Sequence, residues 1–202
     1  MLEHLRIWQY DDSMNHRDNL TSADNQQERL FEIGWIIGFV DGEGCFSVGF
    51  IQQPNRGARK GYRLGIQVWC EFAVTQGARS LSSLEKLTTF FRIGNIYQNK
   101  RYDNHKEHLF RYVVRKREDL RTVIIPFFQT YQLQTAKRED FERFVQCFQL
   151  IEEQKHLTKE GLRQIVAITS LMNRRKDRSA DLERILNDYT RGVSDTQVEM
   201  KI

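Results

Sequence analysis

The sequence predicts an α+β domain with helices on one face of an antiparallel sheet, in the order αββαββα, with further helices behind. Three observations predict it. A glycine-punctuated apolar helix pattern at 26–41 runs directly into a segment of alternating hydrophobicity. Two pairs of alternating segments are separated by a helical stretch at 79–91. A strongly amphipathic segment at 137–154 then closes the unit.

Residues 1–26 are polar and mixed, and read as an N-terminal extension with a short helix around 2–10 and a loosely ordered remainder. Asp24 or Asn25 is placed to cap the helix at 26–41. Within and just beyond it, Gly34, Gly38 and Gly42 recur every four residues, leaving one stripe without side chains. A mid-helix glycine costs about 1 kcal/mol against alanine, and repeating that cost points to a second backbone packed very close. In the first strand Phe46, Val48 and Phe50 face the core, and Ser47, Gly49, Ile51 and Gln53 face outward. A polar loop at 54–61 carries Arg56, Arg59 and Lys60.

The second strand, 62–75, turns Ile66, Val68, Cys70, Phe72 and Val74 to the core, and Arg63, Gln67, Trp69, Glu71 and Ala73 outward. The helix at 79–91 has its apolar stripe at Leu81, Leu84, Leu87, Thr88 and Phe91. Strands follow at 95–101 and 107–115, joined by a turn at Asp103 and Asn104. A helix from 117 leads toward Pro126, which limits its run. The helix at 137–154 buries Phe141, Phe144, Val145, Phe148 and Ile151. Thr158 caps another, reaching about 173, which Arg174, Arg175 and Lys176 close with positive charge. A short helix around 181–187 precedes a frayed tail. The organisation is an extension at 1–26, a core at 27–155 and a helical extension at 156–202.

At 202 residues and 40% hydrophobic composition, the chain suits one domain with an appendage. No apolar run approaches a membrane span, and the N-terminus lacks the apolar region of a secretory signal. An intracellular protein is expected, in cytoplasm, nucleoid or organelle matrix, neither secreted nor membrane-bound. A formal charge of +4 is compatible with a nucleic-acid partner. Cys45, Cys70 and Cys147 have no zinc-site spacing and read as small buried hydrophobes in a reducing compartment.

The glycine helix delivers Glu43 at its C-terminal end, where the macrodipole is negative and a carboxylate is poorly placed unless a cation joins it. Unpaired carbonyls of the last turn beside a carboxylate supply the all-oxygen ligands that Mg2+ prefers. The segment Ile37-Gly38-Phe39-Val40-Asp41-Gly42-Glu43-Gly44 resembles the LAGLIDADG motif of homing endonucleases, and the resemblance covers roughly 30–144. It implies the LAGLIDADG endonuclease fold, with an antiparallel saddle-shaped sheet, helices on one face, and C-terminal helices added. It implies Glu43 as the metal-binding acid, joined by the Gly42 carbonyl, for Mg2+ or Mn2+. Two further catalytic residues follow from it: Gln76 to position water, and Lys137 to stabilise phosphate charge. A shifted alignment moves the latter role to Thr135, and Arg79 stands for the family's basic residue after the glutamine.

Only one copy of the motif is found, whereas the family sets two motif helices side by side. The resemblance therefore implies a homodimer with its seam at Gly34, Ile37, Gly38 and Asp41, the last capping a helix or bonding across. Double-stranded DNA would lie over the sheet's outward set: Ser47, Gly49, Ile51, Gln53, Arg56, Arg63, Gln67, Trp69, Glu71, Ala73, Tyr97, Asn99 and Arg101. Arg111 or Phe110 joins this set, depending on the register of the fourth strand. Arg59, Lys60, Lys100, Arg115 and Arg117 suit phosphate contacts. The expected activity is a divalent-metal-dependent double-strand break in a long, roughly palindromic site. The alternatives are an RNA maturase with intron RNA as partner, and a DNA-binding regulator that does not cleave.

Overall fold

The computed structural model describes residues 22–52, 64–99 and 107–172. The expected helices at 2–10 and 181–187, the 54–61 loop, the 103–104 turn and the basic run at 174–176 lie outside them. The chain divides into two compact units, Met1–Trp35 and Ile36–Ile202. The first contributes the opening turns of helix α1 (Ser22–Glu43). That helix starts four residues earlier than expected, which places Asp24 and Asn25 inside its first turn rather than at its cap.

The second unit holds the last turns of α1, then β1 (Gly44–Gln52), β2 (Ile66–Gly77), α2 (Leu81–Phe91), β3 (Asn95–Asn99) and β4 (Leu109–Val114). All pairings are antiparallel and the sheet order is β1-β2-β4-β3. Gly44 pairs with Val74 and Thr75 with Arg111, which fixes the side on which each residue stands. Phe46, Ile66, Val68, Cys70, Phe72, Val74, Tyr112 and Val114 are buried on the helix side, as their alternation requires. Phe46 is the hub of this core, with the rings of Phe72, Phe128, Phe141 and Phe144 at 5.1, 5.5, 5.0 and 5.5 Å. Aromatic pairs at such separations add roughly 0.5–1.5 kcal/mol each beyond simple burial.

Pro126 does not end the helix it was expected to limit. Helical structure runs from Arg117 to Thr130 as α3 (Arg117–Asp119), a π turn (Leu120–Ile124) and α4 (Ile125–Thr130). In the π turn the Ile125 N–H donates to the Leu120 carbonyl, five residues back. A proline lacks the N–H and crowds the carbonyl four residues before it, and the wider turn just upstream relieves both demands. The chain then enters α5 (Lys137–Glu152) and, after a short 3-10 turn, α6 (Lys159–Ser170). Thr158 caps α6 as expected, its hydroxyl accepting from the Gly161 N–H at 3.1 Å. Leu162, Ile165 and Val166 of α6 are buried, and α6 packs on α5. No helix among the described residues is long and apolar enough to cross a membrane.

Candidate active site and nucleic-acid interface

The last turn of α1 contains no basic residue, so its exposed carbonyls have no cation from their own helix. Lys137, the first residue of α5, provides one. Its ammonium donates to the Gly44 carbonyl and stands 3.5 Å from that of Gly42. These two carbonyls bracket Glu43, whose side chain is exposed. A cation at a helix C-terminus is stabilising, and here it lies on the carbonyls of the residues either side of the acid.

A second set of bonds runs the other way across the same junction. The Asp41 carboxylate accepts from the backbone N–H groups of Gln134 and Thr135, at 2.8 and 3.2 Å, and from the Thr135 hydroxyl at 2.8 Å. Both its oxygens thus hold the stretch that leads into α5 within one copy of the chain. The Thr135 hydroxyl also receives the Lys137 N–H at 3.2 Å, so at this junction it is the side chain of Lys137, not of Thr135, that approaches Glu43's neighbours. Gly44 is required by close approach: an added Cβ would stand 2.5 Å from Val40 Cγ1 and 2.7 Å from the Val40 oxygen. Gln76 lies two residues beyond Val74, the partner of Gly44, and pairs with Phe110 on β4. It is half-buried, at the end of the sheet where α1 hands over to β1.

As a metal site, one chain offers the Glu43 carboxylate and the second lone pair of the Gly42 carbonyl. Both are hard oxygen donors of the kind a magnesium or manganese ion takes. Among the described residues no group of three or more His, Cys, Asp or Glu gathers to hold a metal. The donor set suits the ion and is incomplete, so further oxygens have to come from elsewhere.

On the outer face of the sheet, Ile51, Tyr97 and Arg115 are 44%, 57% and 63% exposed. Asn99 is exposed, while Ser47 and Gln67 are half-buried. Register settles the fourth strand: Arg111 stands opposite Tyr97 and Thr75 on the outer face, and Phe110 packs toward the core. Four expected DNA contacts have neighbours of their own within the chain. Glu71 is fully buried, with Arg111 Nη2 donating to one of its oxygens and Arg115 Nε to the other. Ala73 is buried beside it. Gly49 is covered by the indole of Trp69, its cross-strand partner. Arg117 lies near Glu152, at 3.9 Å. Gln53, Arg56, Arg59, Lys60, Arg63, Lys100 and Arg101 fall outside the described residues.

Of the expected seam residues, Gly38 faces open space, with nothing within 4 Å of an added Cβ, and Gly42 on the same stripe does likewise. Ile37 is half-buried and packs against the hydrophobic core. In the first unit Gly34 is open in the same sense. Leu30 and Phe31, unassigned from sequence, are 58% and 73% exposed there. Bare apolar side chains near a glycine repeat are the signal that finds them.

The sequence profile described as LAGLIDADG endonuclease matches residues 36–148. Probable intron-encoded endonuclease 2 of Neurospora crassa is 33% identical over 134 residues, covering 66% of this chain and 26% of that protein. The chain spans about a quarter of the length of that relative and of two others like it. The crystal structure of the homing endonuclease I-TnaI superposes with a TM-score of 0.65 at 34% identity, over 78% of this chain and 97% of that one. I-SmaMI, bound to uncleaved DNA target in the presence of calcium ions, gives 0.61 at 31% identity, over 75% of this chain and 47% of that one.

Proposed function

This chain belongs to the LAGLIDADG endonuclease family, and from that premise we propose that it is a homing endonuclease. It binds double-stranded DNA and cuts both strands of a long, roughly palindromic site, working as a homodimer inside the cell. The observation that carries this reading is the meeting of Lys137 with the carbonyls on either side of Glu43. An acid, carbonyl oxygens and a cation brought together from two helices make a phosphoryl-transfer site rather than a cap.

Glu43 and the Gly42 carbonyl would hold Mg2+ or Mn2+, with DNA phosphate oxygens and the second copy completing the ligand shell. When bound, such an ion supplies the charge that lowers the pKa of an attacking water and stabilises the leaving oxygen. The Lys137 ammonium, fixed at the helix end, adds positive charge where the scissile phosphate gains negative charge. The Gln76 amide, both donor and acceptor, orients water at the end of the sheet. The open faces of Gly34, Gly38 and Gly42 support a seam between two copies, each bringing one Glu43 beneath the DNA. Tyr97, Asn99, Arg111 and Arg115 offer base-reading groups on the outer face, and phosphate contacts make binding salt-dependent.

The test is incubation of the protein with plasmid DNA carrying the uninterrupted allele of its gene's insertion site, with and without Mg2+. A single linear product that needs the metal is expected. Intact plasmid under both conditions would overturn the reading.

A further inference from the structure

The outer face of the sheet carries a layered stack that ordinary DNA contacts do not require. Trp69 lies over Gly49, where an added Cβ would come within 2.3 Å of the ring. The guanidinium of Arg115 lies over Trp69 in turn, 5.4 Å from the ring centroid. Glu71 holds Arg115 by Nε and Arg111 by Nη2, with no exposure of its own side chain. A carboxylate buried this completely is tolerated only when paired, and two guanidiniums pair it. Alternation along β2 puts Ala73 between Glu71 and Thr75 on the same face, and Thr75 pairs with Arg111. Arg111 therefore reaches back past the small Ala73 side chain to the carboxylate.

We propose that Glu71 is a positioning residue that holds Arg115 as a preset, two-pronged reader of one guanine in the target; this rests on the DNA-binding reading above. Arg115 has its Nε turned inward to Glu71 and one planar face on Trp69. With Nε so engaged on a side chain 63% exposed, the Nη1–Nη2 edge is the donor pair left for a ligand. That edge matches the paired acceptors O6 and N7 that guanine presents in the major groove. A phosphate contact would gain from undiminished charge, yet Glu71 cancels one of the two positive charges here. The arrangement gives up charge and gains orientation, and orientation is what base reading needs.

The experiment is selection of bound sequences from a randomised duplex pool by the full chain in calcium, the condition in which I-SmaMI holds its target uncleaved. The parent protein enriches a guanine at a defined position. Glu71→Gln lowers the preference for that guanine by about tenfold and leaves the other positions alone. Its affinity for unselected DNA at low salt does not fall, because the net charge has risen. Arg115→Lys keeps the charge and loses the fork, so it erases the same preference, and it tests the proposal even if Glu71→Gln does not fold. Equal weakening on every sequence by both variants would make Arg115 a phosphate contact and overturn the proposal, as would an unchanged profile for Arg115→Lys. No enrichment by the parent would sink the DNA-binding reading and this proposal together. A guanine-specific profile, with the selected duplex left intact when Mg2+ replaces calcium, would sink the nuclease reading alone.

Discussion

Replacing Gly38 by leucine separates what α1 needs in one copy from what it needs in two. In a single copy nothing lies within 4 Å of the added Cβ, so the side chain enters open space. Leucine is the better helix former by about 0.8 kcal/mol, which for a chain of this size raises Tm by roughly 2–3 °C. Between two copies the same side chain must fit where backbones meet. Overpacking costs about 1–3 kcal/mol per site, and a symmetric seam carries it twice. Association then weakens by roughly thirtyfold to twenty-thousandfold. Sedimentation equilibrium across a dilution series gives the association constant, and thermal unfolding at the most dilute point gives the stability of the monomer. The two should move in opposite directions. A variant that self-associates and cleaves like its parent would show that this face of α1 is not the seam. One that loses stability even as a monomer would show that the face is not free.

Lys137→Ala should lower the cleavage rate by on the order of a hundredfold or more at saturating DNA, with DNA affinity little changed. Thr135→Ala should leave the rate alone, because Asp41 keeps its two backbone donors; the reverse ranking would move the cationic role away from residue 137. Stability should fall as pH rises from about 9 toward 12. Burial pushes the Cys70 and Cys147 thiols up to about 12 from 9.0, so the unfolded chain releases those protons first. Burial raises the Tyr112 phenol in the same direction. Each thiol contributes a slope of up to about 1.4 kcal/mol per pH unit. Denaturant titrations at stepped pH on the parent and on Cys147→Ala would measure it, and an unchanged slope in the variant would contradict the assignment.

Local rules carried most of the architecture. The alternation of Phe46, Phe72 and their neighbours placed the core face of the first two strands, and the Thr158 cap was legible from one residue and the helix behind it. The departures come from partners far along the chain. Glu71 has the type and parity of an outward base reader, but arginines 40 and 44 residues later bury it. Asp41 finds its donors 93 and 94 residues downstream, which no local pattern around the motif contains. Pro126 was read by its ordinary effect on an α-helix, and the π turn before it changes the geometry that effect assumes. Lys137 was reached through family resemblance alone; its place at the end of α1 follows from where α5 begins.

The most direct measurement pairs binding and cleavage on one duplex for the parent and for Glu43→Gln, with Mg2+ present. The amide keeps the size of the side chain and removes the charge that would hold the ion. The variant should bind the duplex as the parent does and leave both strands intact. Metal-dependent cutting by Glu43→Gln at the parent rate would place the chemistry somewhere other than the junction of α1 and β1.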